Sequence, residues 1–129
     1  MEEVTIGNNV ENIYQDAFLN CSSLTKTNYM GDITNWLNIN FGTQTSNPMY
    51  YSHNLYINNV EITDLVIPDS ITHFSNSKFI NCDSLKSVDL PSSIHNLGTD
   101  CFSGCSSLTS ISWNIPYLLD PSSPEYAIF

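Results

Sequence analysis

The chain has no arginine, and its only lysines are Lys26, Lys78 and Lys86. Thirteen acidic residues stand against those three, for a net charge of −10. A single-sign negative field repels phosphate, so nucleic acid and anionic lipid surfaces are poor partners. Glycines number only five, and none sits in a phosphate-cradling loop. No apolar run approaches the ~20 residues of a membrane span, so no membrane insertion is expected. MEEV opens acidic and runs straight into an apolar alternation, so no signal peptide is visible. There is no G-x-S-x-G elbow, no helix-spaced zinc motif and no heptad pattern. With no motif that carries a mechanism, the chain reads as non-enzymatic, with no cofactor and no metal site.

What the chain does contain is Asn, Ser and Thr, about a third of all residues. Their side chains satisfy turn backbones, which fits many tight turns and few long helices. The chain also repeats itself. Three segments align without gaps: VTIGNNVENIYQDAFLNCSSL from Val4, LVIPDSITHFSNSKFINCDSL from Leu65, and VDLPSSIHNLGTDCFSGCSSL from Val88. The step from Leu65 to Val88, taken once more, lands on Ile111, with Trp113 two places on. The same step from Val4 lands on Thr27, with Tyr29 two places on, opening a copy that soon departs from the pattern. Each unit predicts a three-residue strand with two side chains inward and one outward. Pro68, Pro91 or Gly7 then ends it. A unit this small cannot close a core alone; stacked copies can, with their strands pairing in parallel along one face.

The pattern of strand, Ile-Pro, Ser, Ile, then Ala-Phe and Cys-Ser-Ser-Leu resembles the BspA-like leucine-rich repeats of bacterial and protist surface proteins. The resemblance covers the chain up to about Trp113. It implies an α/β-type repeat solenoid, with short parallel strands on one face and short helical turns and loops on the other. The expected organisation is a leucine-rich repeat solenoid over 1–113, with 114–129 as a C-terminal cap or a truncated further repeat. The resemblance also implies a cell-surface or secreted binding or adhesion module for a protein or glycan ligand. The chain then reads as a fragment of a longer protein. The alternative is a structural spacer or stalk that presents another domain. Bare ends would also allow end-to-end self-association.

Residues 30–64 break the period, since the distance from Thr27 to Leu65 exceeds one repeat by more than half of another. Asp32 is placed to cap a short helix through Leu37. A polar loop is expected around Asn47-Pro48, then a hairpin turning at Asn58-Asn59. This irregular helix-loop-hairpin unit is the part of the chain that the repeat does not dictate. Candidate ligand-binding residues are therefore of two kinds. The outward strand positions are Thr5, Asn28, Asp64, Val66, Ser87, Asp89, Ser110 and Ser112. The aromatics of the insertion are Tyr50, Tyr51 and Tyr56. The competing reading of the tyrosines is packing within one variant unit.

Cysteines fall at 21, 82, 101 and 105, unlike the two close pairs of a zinc site. Cys21, Cys82 and Cys105 share one place in the repeat and are expected in a column, packed as small hydrophobes. A Cys82–Cys105 disulfide stays open, since neighbouring units lie about 5 Å apart. Cys101 stands where the first copy has Ala17, and Lys78 takes the same place in the second copy. Lys78 is expected to snorkel its ammonium out to solvent.

Overall fold

The computed structural model describes residues 2–113; the expectations for 114–129 lie outside the described residues. In chain order the elements are β1 (Glu3–Gly7), β2 (Asn12–Ile13), β3 (Lys26–Met30), α1 (Ile33–Leu37) and β4 (Asn40–Phe41). A 3-10 turn (Gln44–Ser46) leads to α2 (Met49–Ser52), β5 (Tyr56–Ile57), β6 (Val60–Glu61) and β7 (Asp64–Val66). β8 (His73–Phe74), β9 (Ser87–Leu90), β10 (Asn96–Leu97) and β11 (Ser110–Trp113) complete the described chain.

The repeat sets the pairing. β1 and β3 are parallel with Val4 against Thr27, and β9 and β11 are parallel with Val88 against Ile111. β7 joins the second group with Leu65 against Val88. Inward rows are mainly apolar and outward rows mainly polar, so a one-residue slip would expose the core; the alternation thereby fixes the register. Turn chemistry repeats with the strands. Asp16, Ser77 and Asp100 occupy one shared place and have φ of 66, 62 and 57°. Asn20, Asn81 and Gly104 occupy another, with φ of 62, 58 and 75°. Left-handed backbone favours Asn, Asp and Gly, which explains why those residue types recur there. Gly104 has a second reason: a β-carbon on it would run into the Asn81 side chain.

Two expectations need correction. The strand face is not continuous. β5 pairs in parallel with β3, but β6 folds back antiparallel on β5, leaving separate sheets β1-β3-β5-β6 and β7-β9-β11. The opposite side is also not only turns and loops, because it carries two short parallel ladders, β2-β4 and β8-β10.

The irregular stretch conceals a unit of ordinary length. Phe41 and Leu55 are as far apart in sequence as Ile13 and Thr27, Phe74 and Val88, or Leu97 and Ile111. Ile13 pairs with Phe41 and Asn28 with Tyr56, so these spans are equivalent in space. The excess length therefore divides in two. A shorter part before Asn40 carries α1, and a longer part between Leu55 and Leu65 makes the hairpin. Within this unit Ser46 takes the place of Phe18, Met49 that of Cys21 and Ser52 that of Leu24, and all three are buried. The stretch around Asn47-Pro48 is thus a 3-10 turn and α2, rather than the expected polar loop.

A serine where other units have phenylalanine leaves the core short of volume. α1 supplies it. Asp32 caps the helix, its Oδ1 accepting from the Asn35 amide at 2.8 Å. Trp36 is fully buried, edge-on to Tyr29 (5.4 Å between ring centroids) and to Phe41 (5.5 Å). Lys78 does not snorkel outward. It is 0% exposed, and its Nζ donates to the Ile39 carbonyl and lies 4.7 Å from the Phe41 ring centre. Its own carbonyl accepts from Trp36 Nε1 at 3.1 Å. Asn47, also buried, donates to the Ser77 carbonyl at 2.9 Å.

Desolvation pushes the Lys78 ammonium down to about 8; the neighbouring Cys101 thiol acts weakly the other way. A cation whose pKa is depressed by folding binds fewer protons folded than unfolded between its two pKa values. Stability from this group therefore rises with pH from about 8 towards the unfolded value near 10.4. The buried thiols, whose pKa values are raised, act oppositely above pH 9, so the comparison needs a reference variant. Relative to Lys78→Met, the native chain is expected to gain about 2 kcal/mol between pH 7 and pH 10 in denaturant titrations. A difference that stays constant with pH would show that the amine does not titrate from a buried position.

Candidate functional site

The outward positions of β7, β9 and β11 form two rows. Asp64, Ser87 and Ser110 share one register line, and Val66, Asp89 and Ser112 share the next. Five of the six are exposed, Val66 at 66%, and Ser87 is half-buried. Ser87 Oγ donates to Asp64 Oδ1 at 2.6 Å, and Thr63 Oγ1 donates to Asp64 Oδ2 at 3.3 Å. The first row is therefore partly engaged with itself, while the second row offers an apolar group, a carboxylate and a hydroxyl to solvent.

The other candidates do not join this patch. Thr5 is exposed on the β1-β3-β5-β6 sheet. Asn28, expected to point outward beside it, is buried. The hairpin turn covers it: Asn28 Nδ2 donates to Asn59 Oδ1 at 2.8 Å, and the Asn59 amide donates to Asn28 Oδ1 at 3.0 Å. Asn58 and Asn59 have φ of 50 and 68°, the geometry of a tight two-residue hairpin turn. Asn28 is a structural clamp and drops out as a ligand-binding candidate.

The three tyrosines separate. Tyr56 is half-buried on the outward side with Lys26 Nζ over its ring at 4.4 Å, and the same ammonium lies 3.6 Å from Glu3. Tyr50 and Tyr51 are on α2, not on the hairpin, and meet edge to face at 5.1 Å. α2 packs against the inward side of β3, where Ser52 and Thr27 hydroxyls bond at 2.8 Å. Tyr56 faces the opposite side, so the three rings make no common aromatic platform. Lys26 was absent from the sequence reading. The signal for it was available, since Glu3 and Lys26 fall in register one repeat apart.

The nucleophiles lie in inert surroundings. All four cysteines are free. Burial pushes the Cys101 thiol up to about 11 and the Cys105 thiol up to about 12, and raises Cys82 as well. Cys101 Sγ donates to the Gly98 carbonyl at 2.9 Å, and Cys105 Sγ to the Phe79 carbonyl at 3.2 Å. A thiol held protonated is a poor nucleophile and a poor metal ligand. His53 Nδ1 lies 3.2 Å from Asp83 Oδ2, and Ser106 Oγ donates to Asp83 Oδ1 at 3.0 Å. The carboxylate stands between serine and histidine here, so the imidazole does not touch the hydroxyl and the set lacks the order of a serine–histidine–aspartate triad. The register places His73 opposite Asn96, not His95. Among the described residues no group of three or more His, Cys, Asp or Glu side chains is placed to hold a metal ion. Among them, too, no helix is long and apolar enough to cross a membrane.

Short parallel strands recurring at one fixed sequence step over an apolar core define a repeat protein of the leucine-rich type. The family model of the BspA-type leucine-rich repeat region matches residues 1–48 and 49–117, in six copies. The chain belongs to that family. Among solved structures, it is similar to a leucine-rich cell surface protein from Faecalibacterium prausnitzii A2-165, at 21% identity and a TM-score of 0.45. That match covers 88% of this chain and 32% of the other, so the chain spans about a third of that protein's length. No curated protein matches it.

The thiol environments give a direct test. In folded protein at pH 8, a disulfide reagent is expected to label the half-exposed Cys21 first. Cys82, Cys101 and Cys105 should react at least ~10-fold more slowly until denaturant is added. Equal rates at all four in the folded state would refute the assignment of desolvated, protonated thiols at Cys82, Cys101 and half-exposed Cys105.

Proposed function

We propose that this chain is a non-catalytic binding module of a cell-surface or secreted protein, whose units stack as one solenoid and read a protein or glycan ligand. The observation that carries this reading is the β7-β9-β11 face. Its outward rows repeat at fixed spacing on strands whose inward rows are locked in the core. Side chains held that way lose little further freedom when a ligand lands on them. The exposed valine among hydroxyls and carboxylates supplies one apolar anchor, and Asp64 and Asp89 favour a neutral or basic partner.

The experiment is a binding screen of the whole chain on matrix-protein and glycan arrays, repeated with Val66→Arg/Asp89→Lys and with Tyr50→Ala/Tyr51→Ala. Binding is expected to fall at least ~10-fold in the first variant and to change less than ~2-fold in the second. Loss in the tyrosine variant alone would move the site to α2. No binding by the native chain to any arrayed molecule would favour a spacer that presents another domain.

A further inference from the structure

The second face of the fold is broken at one point. β4 and β8 hold the same place in consecutive units, yet β4 pairs only with β2 and β8 only with β10. Beneath the gap, side chains replace the missing ladder: Lys78 reaches the Ile39 carbonyl, and Trp36 and Asn47 reach the carbonyls of Lys78 and Ser77. Above it, the surface is hollowed into two adjoining recesses that share Asn40 and Ser75.

The rim of this cleft is made by Asn38, Asn40, Gln44, His73, Ser75 and Asn76, all exposed. In a chain of net charge −10, no Asp, Glu, Lys or Arg lines either recess. The amides also have unused capacity. Asn38 and Gln44 side chains make no hydrogen bond to any described residue. Asn40 donates its Nδ2 to Asn12, which leaves its carbonyl oxygen, and Asn76 accepts from the Thr99 amide, which leaves its NH2. Each primary amide offers two donors and an acceptor in fixed relation, a match for adjacent hydroxyls that are themselves both donor and acceptor. Half-buried Phe41 adds apolar surface at the floor of the same recess.

We propose that the cleft between β4 and β8 is a binding site for a neutral oligosaccharide. The chemistry selects against the alternatives. A sialylated or sulfated chain would meet the negative field of the whole molecule, and the nearest cation, Lys78, is buried beneath the cleft with its Nζ committed to the Ile39 carbonyl. An extended peptide adding to the β4 or β8 edge would find only a two-residue strand on either side, too few ladder bonds to hold it. The inference rests on the reading of the chain as a binding module, but it places the ligand away from the β7-β9-β11 face, so the two can fail separately.

The test uses the full chain, an array of neutral gluco-, galacto-, manno- and N-acetylglucosamine oligosaccharides, and matching sialylated and sulfated compounds. Hits are followed by titration with the amide NH2 resonances observed by NMR. Asn38→Asp/Gln44→Glu keeps side-chain shape, adds carboxylates and disturbs no fold contact. Ser107→Asp, exposed in the last described unit, adds charge elsewhere as the control. Expected are binding to at least one neutral compound, shifts of the Asn38 and Gln44 NH2 signals, and a loss of ~10-fold or more in the cleft variant with none in the control. Preference for anionic glycans, or unchanged affinity in the cleft variant, would overturn the site. Binding of proteins or peptides with no saccharide bound would overturn it while leaving the binding-module reading intact. Binding of nothing at all would overturn both.

Discussion

A buried ammonium with no carboxylate partner among the described residues sits at the junction of the irregular unit and the regular repeats. Lys78 sits where the first unit has an exposed alanine and the third a buried cysteine. Taking such a charge out of water costs several kcal/mol, and one carbonyl and one aromatic ring offset only part of that. The depressed pKa is the direct sign of the imbalance. What the arrangement gains is connection. The Lys78 stem and headgroup reach from the regular repeats into the irregular unit, and its carbonyl receives Trp36 from the inserted helix. Three changes in sequence are thus one change in packing. Ser46 removes an aromatic ring from the core, α1 returns one as Trp36, and Lys78 fills and bridges what is left.

The regular part of this architecture was legible in the sequence because its constraints are local and repeat. The constant step put Thr27 against Val4 and Ile111 against Val88. The period-two alternation decided which side chains went inward, and Asp32 identified the start of α1 through capping chemistry. The failures share one physical cause, namely substitution that is compensated in three dimensions. Ser46 and Ser52 lack the apolar look of Phe18 and Leu24, so their unit was read as an insertion. Its length signal, the ordinary spacing from Phe41 to Leu55, survived and was the better guide. Lys78 was assigned to solvent because long cations usually snorkel; the partners that hold it inside, the Ile39 carbonyl and the Phe41 ring, lie in the irregular unit. Asn28 was assigned outward by strand parity. Parity was right about the side of the sheet, but the hairpin folds over that side.

Of the candidate binding residues, the β7-β9-β11 positions were read from pattern alone and fall together, because sheet register is a consequence of the repeat. The tyrosines were grouped by proximity in sequence and fall apart, because α2 and β5 belong to different sides of β3. Sequence distance is a poor guide to spatial grouping inside a unit that changes direction twice over a short stretch. The cysteines illustrate the converse. Cys101 and Cys105 are close in sequence, but close spacing alone does not make a site. The common place of Cys21, Cys82 and Cys105 in their units makes them packing residues, and burial keeps Cys82, Cys101 and Cys105 protonated.

Irregularity is concentrated in one unit, and it breaks both faces at that level. On one side the β5–β6 hairpin ends one parallel sheet before the next begins; on the other, β4 and β8 part and leave a cleft. A uniform array of identical outward rows presents the same pattern at every step, so a ligand could sit on it in several equivalent registers, and no single pose would be favoured. A break removes that degeneracy, since among the described residues one level combines the missing ladder with unengaged amides. On the binding reading proposed above, the carboxylates and hydroxyls of the regular face supply extent, whereas the broken level supplies position. The buried lysine joins that level to the next repeat at a cost in stability, through its Nζ on the Ile39 carbonyl and its own carbonyl under Trp36.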